Sequence, residues 1–246
     1  MFALALSLSV LIGVSLGLLG GGGSILTTPI LIYALGVEPK AAIATSLLVV
    51  GVTSLASLIT HARAGNVIWR IGLTFGAAGM VGAYGGGLLA ALIPARILLG
   101  IFGAMMVATA IAMFRGRRDT AEEGGSPQAL WKVVVEGVIV GVVTGLVGAG
   151  GGFLVVPALT LRGGLPMRTA VGTSLLVIAL KSFAGFAGHL GHVQVDYQLA
   201  GGVAGAAVLG SVLGVALASR VPPVALRKGF AGFVLVMAAF VLYQQL

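Results

Sequence analysis

GVSLGLLGGGGSILTTPIL (13–31) returns 128 residues later as GVVTGLVGAGGGFLVVPAL (141–159). Over 13–50 and 141–178 the two copies share 17 of 38 residues, so the chain is read as a duplicated unit. The shared positions include Gly20/Gly148, Gly22/Gly150, Gly23/Gly151, Pro29/Pro157, Thr45/Thr173 and Ser46/Ser174. Farther on, His61 pairs with His189, Gly82 with Gly210 and Pro94 with Pro222 at the same spacing. This register gives a first repeat over 1–114, a hydrophilic linker over 115–132 that opens RGRRDTAEEGGSPQ, and a second repeat over 133–246.

Each copy sits inside an apolar stretch too long to be one ordinary span. As a single helix, 3–36 would run about 50 Å, against roughly 30 Å of hydrocarbon. Four consecutive glycines and then Pro29 interrupt it. Glycine has no side chain to hold helical dihedrals, and proline removes a donor and clashes with the preceding turn. The segment is therefore expected to break near its middle, and either to re-enter the side it came from or to cross with an overhang. The other apolar segments of each repeat, 41–60, 69–93 and 97–114, then 169–188, 197–218 and 229–244, are each long enough for one crossing.

Composition places these segments in a bilayer. The chain is 59% hydrophobic and 8% charged, whereas a soluble domain carries about a quarter of its residues as charges. Too little polar surface remains to coat a soluble globule. A signal-peptide reading of the N-terminus is disfavoured, because the first cation is Lys40. The absence of cysteine excludes disulfides and thiolate metal sites. The net charge of +8 does not point to nucleic acid, because the cations fall in short loops between apolar segments.

Those cations choose between the two paths for the broken segment. If it folds back, one side of the membrane holds Arg63, Arg70, Arg115, Arg117, Arg118, Lys132, Arg162, Arg168, Arg220, Arg227 and Lys228. The other side holds Lys40 and Arg96. If the segment crosses once, the cations split almost evenly and give no orientation. The positive-inside rule favours the first arrangement. The expected fold is thus an all-α polytopic membrane protein whose two homologous halves are inverted repeats. Each half is a Gly-broken, re-entrant hairpin plus three transmembrane helices, the linker is cytoplasmic, and both termini are outside. Secondary transporters are commonly built this way.

Several residues are candidates for substrate contact. The breaks at Gly22, Gly23 and Ser24, and at Gly151 and Gly152, expose backbone N–H groups at helix starts, an arrangement suited to anions, although glycines also serve close helix packing. No Gly-Lys-Ser/Thr follows either run, which excludes a P-loop. Thr45-Ser46 and Thr173-Ser174 open the second span of each repeat. Their hydroxyls either donate to anion oxygens or bond a carbonyl one turn back. Lys181 is the one cation in mid-span, where lysine costs roughly 2.5–3.5 kcal/mol and usually faces a cavity or partner. His61 and His189 close their spans near the headgroups, as carbonyl-bonded interfacial residues or as a proton relay. Glu38, Glu136 and Asp196, also at span ends, read as solvated. A Ser174–His189 hydrolase is disfavoured, because Leu175 and Leu176 follow the serine and the pair is duplicated with its whole helix.

G-x-x-G-x-G-G at 17–23 and 145–151 each leads to a proline, then to A-x-x-T-S-L-L at 42–48 and 170–176, then to a histidine. This doubled pattern resembles the TauE/SafE-type sulfite exporter family, also called the 4-toluene sulfonate uptake permease family, over essentially the whole chain. Two local departures are Gly21 in the first glycine run, and GNVIW (65–69) and GHVQVDY (191–197) after the histidines. The resemblance implies a secondary transporter, and not an enzyme, in the bacterial inner membrane. It would export a small sulfur-containing oxoanion or organosulfonate such as sulfite, with no cofactor and no metal. Beside that anion and the lipid bilayer, a homodimer is open as a further partnership. A non-transporting membrane assembly factor is the alternative, and it would need a polar docking surface that only 115–132 offers.

Overall fold

The computed structural model describes residues 2–19, 24–115, 130–148, 150–162, 164–218 and 221–244. Among these residues it is all-helical, with no strand. The first repeat contributes α1 (Phe2–Leu19), α2 (Ser24–Pro29), α3 (Pro39–Arg63), α4 (Trp69–Ala90) and α5 (Ala95–Arg115). The second contributes α6 (Leu130–Val147), α7 (Gly152–Pro157), α8 (Met167–His189), α9 (Tyr197–Ala218) and α10 (Pro223–Tyr243). Five described segments are long and apolar enough to cross a membrane: Pro39–Arg63, Trp69–Ala90, Ala95–Phe114, Met167–His189 and Tyr197–Leu217. The apolar stretches Ser7–Leu19, Ser24–Ala34, Val134–Val147 and Lys228–Tyr243 are shorter.

Local chemistry sets the ends of these helices. Pro29 and Pro157 each close a six-residue helix, and the chain widens into a π turn at Ile30–Ala34 and Ala158–Arg162. A proline that cannot donate loosens the ladder in this way. The Glu38 carboxylate accepts the Ala41 N–H at 3.0 Å and caps α3, with Pro39 at its first position. Asp196 accepts the N–H groups of Gln198 and Leu199 at 2.9 Å each and caps α9. These two acidic residues are solvent-exposed, while Glu136 on α6 is half-buried.

Glycine decides which helices touch. A Cβ added at Gly13 or Gly17 would collide with the carbonyls of Ala207 or Ser211, and one at Gly210 or Gly214 with those of Val10 or Val14. The paired numbers rise together, so α1 and α9 run in the same direction with their backbones in contact. The same holds for α4 and α6: Gly82 meets Val138, Gly86 meets Val142, and Gly141 and Gly145 meet Gly79 and Ala83. Gly72, Gly76, Gly79 and Gly87 of α4 meet Leu176, Leu180, Lys181 and Gly188 of α8 in rising order, so α4 and α8 are parallel too. Between α3 and α8 the order reverses, Leu47 lying by Gly185 and Gly51 by Phe183. These two helices are antiparallel, and they form the centre of the molecule, each 72% buried over its most apolar stretch where α4, α5 and α9 reach 44%.

Candidate functional site

The break in the second repeat lies against this central pair. Gly148, Gly150 and Gly151 have φ of 75°, 60° and 62°, a left-handed region that other residues enter only under strain. These angles reverse the chain after α6. Gly150 approaches Val50 of α3 and both Ile178 and Ser182 of α8, while Gly151 abuts Thr144 and the Lys181 ammonium. From there α7 and its π turn must run back toward the start of α8, since Met167 lies fourteen residues before Lys181 on that helix.

Lys181 is completely buried. Its aliphatic stem lies on Gly79 of α4, a place only glycine leaves open. Its ammonium donates to the Thr144 hydroxyl at 3.1 Å, and that hydroxyl donates to the Val140 carbonyl at 2.7 Å. Thr144 thus accepts from lysine and passes its own proton down α6. An ammonium has three donors, and a neutral hydroxyl supplies no counter-charge. The Ser182 hydroxyl, buried beside the same turn, has no hydrogen-bond partner among the described residues.

Ser46 couples the first repeat to this turn. Its hydroxyl receives the Thr28 hydroxyl at 2.9 Å and faces two acceptors, the carbonyls of Ile43 and of Gly148. Thr28, on α2, is thereby tied through α3 to the chain reversal after α6, and α2 also touches α7. Ser24 and Gly152, the first residues of those two helices, are buried, whereas Gly22 and Gly23 lie outside the described residues.

The second Thr-Ser pair is used differently. Thr173 accepts the Ile68 N–H at 3.0 Å at the start of α4, and Ser174 back-bonds the Val171 carbonyl at 2.7 Å. The position equivalent to Ile68 in the second repeat is Asp196, which caps α9 with its own carboxylate. Ile68 has no such group, and Thr173 binds the loop instead. Thr45 is buried on α3.

The two histidines occupy the last turns of α3 and α8 yet point inward, with exposures of 5% and 3%. His61 lies beside the Gly17 backbone, and neither of its ring nitrogens reaches a partner at hydrogen-bond geometry among the described residues. His189 Nδ1 is 2.9 Å from the Gly185 carbonyl, and Nε2 has no partner among the described residues. They are core residues at helix ends. Sequence position marked the ends of the helices, but it did not show that α3 and α8 turn those ends toward other protein. Thr144, the lysine's partner, carried no signal in the sequence, because its counterpart is Leu16. Among the described residues no group of three His, Cys, Asp or Glu could hold a metal.

Comparison with known proteins adds the context this geometry lacks. The family described as "Sulfite exporter TauE/SafE" matches residues 5–241. A "Probable membrane transporter protein" of Xylella fastidiosa strain Temecula1 is 36% identical over 241 residues, covering 95% of this chain and 92% of the relative. One from strain 9a5c is 38% identical over 215 residues, 85% of this chain and 82% of the relative. One from the archaeon Methanocaldococcus jannaschii is 31% identical across 98% of this chain and 97% of its own. No solved structure matches the chain.

Proposed function

We infer that this chain, which belongs to the sulfite exporter TauE/SafE family, is a secondary carrier that exports a small sulfur-containing oxoanion or organosulfonate, such as sulfite, across the inner membrane. The observation that carries this reading is the Lys181 ammonium. It is fully buried at the chain reversal between α6 and α7, and its hydrogen bond goes to a neutral hydroxyl. A charge in such a place tends to find a counter-charge or to lose its proton. An anion passing between α3, α6 and α8 is a natural counter-charge. It would find the Ser46, Thr144 and Ser182 hydroxyls nearby, while Thr173 and the two histidines lie farther out along the central helices.

The repeats are read as inverted. Equivalent helices α3 and α8 run in opposite directions, which supports this. The first segment of each repeat is read as a re-entrant hairpin. In support, α6 and α8 both parallel α4 although α7 lies between them in sequence, so α6 and α8 start from one face. With the linker on that face, the cation-rich loops at 61–70, 162–168 and 219–228 lie with it, and the positive-inside rule makes it cytoplasmic. An inside-negative potential then assists anion efflux by about 2.3 kcal/mol per charge per 100 mV.

The test is flux from proteoliposomes loaded in turn with sulfite, sulfate, thiosulfate, sulfoacetate or taurine. Saturable, voltage-sensitive efflux of one of the sulfur anions is expected. Flux of none above protein-free vesicles would refute the assignment.

A further inference from the structure

A cavity of about 60 Å3 opens between the C-terminal ends of α4 and α8 and the N-terminal ends of α3 and α5, at the face read above as outer. Lys40, Gly87, Ala91, His189 and His192 are in its wall. At roughly 10–15 Å3 for each water, it holds a few waters, about the bulk of one inorganic oxoanion.

The wall chemistry is specific. His189 is almost fully buried, and its Nδ1 faces the Gly185 carbonyl at 2.9 Å. A carbonyl can only accept, so Nδ1 carries the hydrogen and Nε2 of the neutral ring is a bare acceptor. That Nε2 is buried and unpartnered. Lys40 donates to the Ala91 carbonyl at 2.9 Å, which uses one of its three donors. Lys40 and His192 line the same cavity as His189. Among the residues lining the cavity, contributed by α3, α4, α5, α8 and the loop after α8, the titratable ones are Lys40, His189 and His192.

We propose that this cavity is a second anion station at the outer mouth, taking one inorganic oxoanion that still carries a hydrogen. The proposal rests on the transport reading above and names a further site on the same path. Lys40 supplies the fixed positive charge, and a small movement of the wall brings His189 Nε2, buried in this structure, to accept the anion's O–H. A fully ionised anion would meet a lone pair there and bind only once the ring had taken up a proton. The station connects to Lys181 by one seam. Lys181 and His189 are eight residues apart on α8, about 12 Å. The glycines they lie against, Gly79 and Gly87, are eight apart on the parallel α4.

Calorimetric titration of the purified full-length protein with sulfite separates the two stations. Wild type is expected to show two binding events. Lys40→Gln, at a half-exposed position that tolerates the change, should weaken one event roughly tenfold or more, the loss of one charge-assisted contact. His189→Gln should weaken that same event, and Lys181→Met should weaken the other. Methanesulfonate, fully ionised and with no O–H to give, should fill the Lys181 station and not the outer one. A single event that Lys181→Met removes and Lys40→Gln leaves alone overturns the outer station and keeps the transport reading. Two events untouched by both Lys40→Gln and His189→Gln also overturn the station. Absence of binding for sulfite, sulfate and thiosulfate in wild type overturns the outer station, and absence of binding for methanesulfonate, sulfoacetate and taurine as well overturns both.

Discussion

Replacing Lys181 by methionine keeps the side-chain length on Gly79 and removes the charge. An anion about 4 Å from the ammonium gains roughly 4 kcal/mol of Coulomb energy at an effective dielectric of about 20. Much of that is spent on desolvating the pair, and a charge-assisted hydrogen bond nets about 1.5–3 kcal/mol. At 1.4 kcal/mol per decade, the half-saturation for sulfite should rise roughly 10- to 100-fold. Stability should move the other way. The lysine pays about 2.5–3.5 kcal/mol to sit in mid-membrane, so Lys181→Met should unfold at the same temperature as wild type or higher. The assay is sulfite efflux from proteoliposomes over a range of loading concentrations, normalised to monodisperse protein, beside a thermal melt of the same preparation. Lys181→Glu, which repels the substrate, should transport less than Lys181→Met. An unchanged half-saturation in Lys181→Met would remove the lysine from the binding site, whatever the melt shows.

Five further substitutions test the frame around that site. Gly151→Ala puts a Cβ at φ 62° against Thr144 and the Lys181 ammonium, and should cost about 1–3 kcal/mol of stability as well as flux. Ser46→Ala strands the Thr28 donor and frees the Gly148 carbonyl, so a loss of about 1–3 kcal/mol is expected, whereas Ser174→Ala deletes a bond within its own helix and should cost less by the same melt. Gly82→Leu should prevent folding because the α6 backbone fills its space, while Gly85→Leu, with nothing within 4 Å, should purify like wild type.

The duplication was legible because it survives as identity, and the elements keep it. The starts Ser24 and Gly152, Pro39 and Met167, Trp69 and Tyr197, and Ala95 and Pro223 are all 128 residues apart. The break of the long apolar segments was legible for a mechanical reason, since glycine and proline act on their own backbone. Partnership was not. Glycines at 79, 82 and 86 announce a close neighbour without saying that it is α6 in the other repeat. Nor could a sequence show that Ser46 reaches the Gly148 turn while the equivalent Ser174 bonds its own helix, because identical residues inherit different neighbours once the repeats diverge. Lys181 stood out as a mid-span cation, but its seat on Gly79 and its bond to Thr144 depend on packing between three helices.

Those partnerships bear on how the protein holds together, and they yield a last prediction. The contacts that bring backbone against backbone, α1 with α9 and α4 with α6, each join a helix of one repeat to a helix of the other. Two more interfaces, α3 with α9 and α4 with α8, do the same. Each repeat has in effect lent its third long helix to its partner, so the packed groups are α1–α3 with α9 and α6–α8 with α4. A repeat expressed alone would leave Gly79, Gly82 and Gly86, or Gly210 and Gly214, facing lipid with no backbone to meet. Helix association in a bilayer depends on that close packing, since lipid tails are as apolar as the side chains. Residues 1–115 and 130–246, expressed separately, should therefore be degraded or elute as aggregates. Co-expressed, they should copurify as a one-to-one complex and restore sulfite flux. A single repeat that purifies monodisperse and helical would show that each repeat closes on itself and that the exchange of α4 and α9 does not hold the molecule together.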